Sequence, residues 1–376
     1  MARRLWLFCH RWIALGLGGI LILSGLSGAL LVVARPLDQW LHPAYFVAAG
    51  AATAQPASLE SMRATLAAEF GPLAAFTFRP PRESGETVQV RVRAAWRGTV
   101  YLDPASGREQ GRRGDNDGFV AVAYNLHSAL LLGRTGKAVL AWAALAYLLL
   151  MLSGLVLWWP RKWPPSLRMV FDKGALRALF DVHRNGGALL ALALAVCIAS
   201  GAYLAWRPIG GWITAASGQP RVVAPKLAPG DAPMRPLDEL AAAARAAFPG
   251  ATIGFLLYTP HPDRPLAVRM RVPDDPHPNG RSTVWLDPRN ATVAAAHRWN
   301  ELDPGVRINS ILYPLHTGEL GGVAGEAAVA LLGLALGALG ISGFWLWWRR
   351  RALPRARAPV AAGPGQCGRH PGTRPG

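Results

Sequence analysis

The stretch Leu315–Arg351, LHTGELGGVAGEAAVALLGLALGALGISGFWLWWRRR, decides how the chain is read. An almost superimposable stretch, LHSALLLGRTGKAVLAWAALAYLLLMLSGLVLWWPRK, runs from Leu126 to Lys162. Laid on one another without a gap, His316 meets His127, Gly322 meets Gly133, Gly325 meets Gly136, Ser342-Gly343 meets Ser153-Gly154, and Trp347-Trp348 meets Trp158-Trp159. One helix is read as used twice, and an internal repeat frames everything else. Two further apolar runs share a spacing of their own: His10-Arg11 is followed by Ser27-Gly28-Ala29, and His183-Arg184 by Ser200-Gly201-Ala202. Four apolar runs thus form two pairs, each run led by a histidine.

Of the 376 residues, 51% are hydrophobic and only 16% charged, a membrane composition. The candidate spans are Ile13–Val33, Ala138–Trp159, Ala188–Trp206 and Ala327–Trp348. Each has roughly the 20 residues that cross a hydrocarbon core about 30 Å thick. The first run is too long for a signal-peptide core, and Ala34-Arg35-Pro36 is a poor cleavage site, so it reads as a retained span. The net charge of +18 is unevenly placed: residues 1–12, 160–184 and 349–376 hold sixteen Lys or Arg and only two acids. Short basic loops mark the cytoplasmic side. Both termini and the 160–184 loop are therefore expected inside, and segments 35–137 and 207–326 outside. Basicity then reports topology, and no nucleic-acid partner is expected. Cys9, Cys197 and Cys367 all lie away from the external segments, so no structural disulfide is expected there. The absence of C-x-x-C-H excludes ordinary covalent c-type haem.

Each external segment reads as a small α+β unit. In the first, Ser58 caps a helix through Phe70, and strands follow at Thr87–Arg93 and Gly98–Leu102 before the turn Asp103-Pro104. The second repeats the plan, with a helix from Leu237 to Phe248, strands around Ile253–Tyr258 and Leu266–Val272, and Thr283-Val284-Trp285-Leu286 before Asp287-Pro288. Arg91 and Arg93, like Arg269 and Arg271, share one strand face. They read first as a solvated face and second as receivers of an anion. Residues 48–57 and 218–236 read as linkers.

Nine histidines occur. His42, His261, His277, His297 and His370 lie in loops or the tail without a repeat partner and read as solvated or turn residues. His10 and His183 lead the first and third runs on the expected cytoplasmic side; His127 and His316 precede the second and fourth on the external side. If the halves pack about a pseudo-two-fold axis along the membrane normal, each face receives one histidine from each half. A facing pair of neutral imidazoles beside glycine-rich helix surface is what bis-histidine ligation of a flat haem requires. Zinc fits less well, because it prefers four ligands and no Cys, Asp or Glu accompanies each pair. Arg11, Arg184, Arg134 and Lys137 lie near these histidines and read as positive flank, with haem propionates as alternative partners. No ionisable residue interrupts the middle of a span, which argues against an ion channel.

The motifs FCHRWIALGLGG (8–19), LHSALLLGRTG (126–136), DVHRNGG (181–187) and LHTGELGG (315–322), with the closing SG-x-x-LWW, resemble the PepSY-associated transmembrane helix family, which includes iron-regulated inner-membrane proteins and ferric-siderophore reductases. The resemblance covers nearly all of residues 5–351. It implies a membrane α-helical fold with four transmembrane helices as two tandem repeats, each with a small periplasmic α+β (PepSY-like) domain. It further implies a multi-pass protein of the bacterial inner membrane holding two b-type haems (heme b), with His10 and His183 on the cytoplasmic-side haem iron and His127 and His316 on the periplasmic-side one. The expected organisation is a first span (1–34), a first periplasmic domain (35–126), a second span with its histidine-bearing lead-in (127–160), a basic cytoplasmic loop (161–182), a third span (183–207), a second periplasmic domain (208–315), a fourth span with its lead-in (316–351) and a disordered cytoplasmic tail (352–376). The expected activity is electron transfer through membrane lipid, from a cytoplasmic reductase or quinol to a periplasmic ferric chelate such as a ferric siderophore. No dinucleotide-binding pattern follows Arg351, so the donor is expected to be separate. The rival expectation is a membrane-anchored periplasmic binding or protease-regulating module without redox activity.

Overall fold

The computed structural model describes residues 2–50, 55–160, 162–230 and 232–352. Four helical stretches are long and apolar enough to cross a membrane: Ala2–Leu41, Gly133–Trp158, Ala175–Ala205 and Glu319–Arg351. Their flanks expose large apolar side chains, including Trp142, Leu189, Leu192 and Leu331, as lipid contact requires. Residues 353–376, which hold nearly all of the tail read as disordered, lie outside the described residues.

Helix α1 (Ala2–Leu41) runs well past a membrane thickness, about 60 Å at 1.5 Å per residue. A first unit follows: α2 (Leu59–Phe70), capped by Ser58 as expected, then β1 (Ala75–Arg79), β2 (Val88–Arg93), β3 (Arg97–Leu102) and β4 (Glu109–Gly114). Next come α3 (Gly118–Ala129), the spanning α4 (Gly133–Trp158), the short α5 (Ala175–Asp181), one turn of π-helix over Val182–Gly186, and α6 (Gly187–Ala205). After α7 (Pro208–Ala216), the second unit has α8 (Leu237–Ala247), β5 (Thr252–Tyr258), β6 (Leu266–Arg271), β7 (Ser282–Leu286) and β8 (Val293–His297). The chain closes through α9 (Pro304–Thr317) into α10 (Gly322–Ala352).

The sequence suggests two separate external units, but their strands form one eight-stranded antiparallel sheet, ordered β4-β3-β2-β1-β5-β6-β7-β8. The seam pairs Phe76 with Tyr258, Thr77 with Leu257 and Phe78 with Leu256. Joining β1 to β5 removes an exposed edge from each unit. One face packs against α2 and α8, with Phe76, Phe78, Val90, Val92, Leu240, Leu256, Val268 and Met270 in a single core. The opposite face turns towards the helix ends, where Tyr101 of β3 stacks on Tyr45 at 4.8 Å. Nearby, Arg113 of β4 donates to both oxygens of buried Asp38 of α1 at 2.7 and 3.0 Å. Strands β1, β4 and β8 were not evident from the sequence: β1 is short, and EQGRRG in β4 carries no apolar alternation.

In the bundle, α1 packs along α10 and α4, and α6 along α4 and α10, so α1 and α6 are diagonal. The α1–α10 contact is close because a side chain on Gly25 would lie 2.6 Å from the Gly333 carbonyl oxygen. The aligned stretches are not single helices, as the sequence suggested. Each breaks between histidine and span, at Leu130 and Leu131 with φ of 49° and 60°, and at Gly318 with φ of 87°. The break folds the short helix back on the span. A Cβ on Gly136 would lie 1.6 Å from the Ala129 carbonyl oxygen, and one on Gly325 2.3 Å from that of Gly318. The aligned glycines Gly136 and Gly325 therefore serve the break.

Candidate functional site

Two histidine pairs form. His10 on α1 and His183 on the π-turn face each other with ring centroids 6.4 Å apart, at the end of the bundle that bears the termini. His127 on α3 and His316 on α9 do so at 6.0 Å, at the end next to the sheet. Each pair draws one histidine from each half of the chain. Eighteen residues of α1 separate His10 from Gly28, which touches His127, so the two levels are about 27 Å apart, close to the thickness of a hydrocarbon core.

Every histidine rests on a Ser-Gly step of a neighbouring span. Nδ1 of His10 lies 2.9 Å from Ser153 Oγ on α4, and that of His183 lies 3.0 Å from Ser342 Oγ on α10. At the sheet end, Nδ1 of His127 lies 3.3 Å from Ser27 Oγ and 3.1 Å from the Ser24 carbonyl; Nδ1 of His316 lies 3.1 Å from both Ser200 Oγ and the Cys197 carbonyl. The following glycine admits the ring edge: a Cβ on Gly28, Gly154, Gly201 or Gly343 would lie 2.9, 3.2, 2.8 or 3.1 Å from the Cε1 of its histidine.

This arrangement selects the tautomer. Ser153, Ser200 and Ser342 donate their single hydroxyl proton to the carbonyl three residues earlier, at 2.8, 2.9 and 3.1 Å, and Ser27 donates to Leu23. Each hydroxyl can then only accept from the imidazole. A carbonyl can only accept as well. Nδ1 therefore carries the proton and Nε2 keeps a free lone pair, the state that a metal-ligating histidine has when its other nitrogen is held by a hydrogen bond.

The donor set is two imidazoles per site. Among the described residues no group of three or more His, Cys, Asp or Glu is placed to hold a metal ion. A metal that brings its own four equatorial donors fits such a site, and one that needs four protein donors does not. Centroid separations of 6.4 and 6.0 Å leave room for one metal ion between the two imidazoles of each pair. Side chains added at Gly16, Gly18 and Gly19 of α1 would meet nothing within 4 Å. Gly16 and Gly19 are exposed, whereas Gly25 and Gly28 lie against α10 and His127.

The family model for the PepSY-associated TM region matches residues 7–350, a range that includes all four histidines and their Ser-Gly seats. The chain belongs to that family. No curated protein matches it. As a family member with four apolar helices, it is a multi-pass membrane protein.

The expected arginines are dispersed. Arg184 is half-buried and reaches the Trp158 carbonyl and Asn185 Oδ1, each at 3.4 Å, beside the His10–His183 pair. Arg11 lies over the ring of its neighbour Trp12, while Arg134 and Lys137 are exposed at the start of α4. His277, expected in a solvated turn, is in a turn but buried, with its ring stacked on Tyr313 at 4.7 Å. The seats Ser27, Ser153, Ser200 and Ser342, each with its glycine, were legible only as register marks. Their signal was the constant interval from a leading histidine, 17 residues in the first and third runs and 26 in the others.

Proposed function

We propose that the protein is a di-haem electron-transfer protein of the bacterial inner membrane that reduces a periplasmic ferric chelate, such as a ferric siderophore. The observation that supports this most is the hydrogen-bonded Nδ1 of all four histidines, which leaves an Nε2 lone pair on each member of the two histidine pairs. His10 with His183, and His127 with His316, would each hold one b-type haem. When bound, haem supplies a one-electron couple whose potential is set by axial ligand, burial and nearby charge.

The chain's own part is to orient and insulate. The Ser-Gly seats hold each imidazole at one rotation and hand its Nδ1 proton to a fixed acceptor, so a change of oxidation state requires no ring movement. Apolar spans exclude water between the two levels, and no carboxylate or cation crosses that region to carry protons. The two tandem halves contribute equally, each giving one ligand to each site. The sheet then lies on the periplasmic side as the surface an acceptor meets. Reduction would loosen the hold of an oxygen-rich chelator, because hard oxygen donors favour the ferric ion. A cytoplasmic reductase or membrane quinol serves as donor.

The test is a rapid-mixing experiment on protein reduced with a stoichiometric amount of dithionite in nanodiscs. Mixing with ferric citrate or a ferric hydroxamate should reoxidise the absorption bands, and ferrous iron trapped by a ferrous-specific chelator should match the electrons lost. Bands that stay reduced with both chelates would overturn the assignment of acceptor.

A further inference from the structure

Beside α9, which carries His316, the open face of the sheet holds a group of arginines that form no ion pair among the described residues. Strand alternation places Phe76 and Phe78 in the core and Arg79 on the other face; in β6 it places Val268 and Met270 in the core and Arg269 and Arg271 on the other face. Phe78 pairs with Leu256 and Phe255 with Arg269, so Arg79 and Arg269 flank Phe255 from two sides, about 10 Å apart. Arg281, just ahead of β7, donates to Asn309 of α9, and its Nε is buried without a partner. Arg82 donates to Asn279. At the centre His277 stacks on Tyr313, which lies one helical turn before His316 on α9.

Among the described residues, none of Arg79, Arg82, Arg269, Arg271 and Arg281 forms an ion pair. The nearby acids are otherwise engaged. Asp275 spends its carboxylate on the backbone N–H groups of His277, Arg281 and Ser282, and Glu86 lies 3.7 Å from Arg35. Glu319 is the remaining acid near Arg82. Arg91, by contrast, donates to Asp115 at 2.9 Å, so the two Arg-x-Arg strands that look alike in sequence differ in kind. Burial and mutual repulsion pull Arg79 and Arg281 down to about 10, and push His277 to about 3, leaving it neutral.

Arg79, Arg269 and Arg281 are half-buried without an ion-pair partner, which is costly, and the planar fork of a guanidinium matches a carboxylate bidentately. We infer that Arg79, Arg82, Arg269, Arg271 and Arg281 form a receptor for a ligand presenting two or more carboxylates directly over the sheet-end histidine pair. Two sources share that chemistry: the propionates of a haem held by His127 and His316, and a soluble polycarboxylate chelate arriving from the sheet side. The inference rests on the reading of that pair as a haem site only for the first source.

The experiment uses the full chain, produced without haem, in phosphatidylcholine nanodiscs, as wild type, Arg79→Gln, Arg281→Gln and Arg235→Gln. The last removes an exposed arginine of the opposite face, paired with Glu239. Citrate binding is measured by calorimetry, and uptake of haem is compared with that of haem dimethyl ester, whose propionates are capped. A chelate site gives saturable citrate binding, weakened at least tenfold by Arg79→Gln or Arg281→Gln and unchanged by Arg235→Gln. A propionate site gives at least tenfold tighter uptake of haem than of the ester, a preference that the same two variants erase. Because each variant relieves repulsion, its melting temperature should hold or rise, which separates lost binding from lost folding. Absence of both citrate binding and ester discrimination, or their survival in both variants, would overturn the inference. If the wild type takes up neither haem nor ester, the haem reading fails and the citrate measurement alone decides the anion site.

Discussion

The two histidine pairs are built on the same seat but reached by different routes. At the terminal end, His10 belongs to α1 itself and His183 to a π-turn that runs into α6, so the helices carry their histidines directly. At the sheet end, His127 and His316 ride on short helices broken from their spans, with Gly136 and Gly325 permitting the fold-back. The terminal pair has exposed and half-buried basic residues near it; the sheet-end pair lies under a folded cap in which Arg79, Arg82, Arg269, Arg271 and Arg281 form no ion pair among the described residues. One recognition unit, a Ser-Gly step receiving an imidazole, thus serves two electrostatic settings. The seat fixes each imidazole, and the surroundings differ.

The sharpest way to break the comparison is to fill a seat. Gly28→Val or Gly201→Val places side-chain atoms where His127 or His316 sits, and should abolish haem at the sheet end alone; Gly154→Val or Gly343→Val should abolish it at the terminal end alone. Haem quantified per chain reads the outcome as a fall from two to one, and loss of both from a single substitution would show that the ends are not independent. A milder change removes the Nδ1 acceptor. Ser153→Ala and Ser342→Ala should weaken retention of the terminal haem about 10- to 100-fold, as loss of such a partner does elsewhere. Ser27→Ala and Ser200→Ala should cost less, because a carbonyl 3.1 Å from Nδ1 remains at the sheet end. Competition for haem by apomyoglobin measures the difference, and equal losses at both ends would remove this distinction.

The smallest expected effect lies in the cap. His277 is held far below the ordinary imidazole range by burial and by Arg281, Arg269, Arg82 and Arg271. Between about pH 6.5 and 3 the unfolded chain takes up a proton there that the folded chain refuses. Stability should therefore fall as pH drops through that window, by about 1.4 kcal/mol per unit from this group. His277→Gln should flatten the slope, measured by thermal unfolding between pH 7 and 4. An unchanged slope would show that the cap does not restrain this residue.

The spans, the leading histidines and their cross-half pairing were legible because apolar runs and an ungapped repeat are local patterns. What stayed hidden depends on long-range contact. The β1–β5 seam joins residues about 180 positions apart, and nothing in Ala75–Arg79 alone announces its partner. Ser27 and Ser153 gain their meaning only when His127 and His10 are brought to them. Arg269 and Arg91 occupy equivalent strand patterns, yet only the fold reveals that Asp115 answers Arg91 while Arg269 forms no ion pair among the described residues. His277 lacked a repeat partner, and its burial follows from α9 passing beneath its loop.

The central claim, two haems each shared between the halves, is tested most directly by the reduced-minus-oxidised absorption spectrum of protein purified from haem-replete cells, with haem quantified per chain. Wild type, His10→Ala and His127→Ala suffice. The account predicts two haems in the wild type and one in each variant, with the surviving spectrum differing between the two. A colourless wild type, or a haem content that neither substitution lowers, would contradict it.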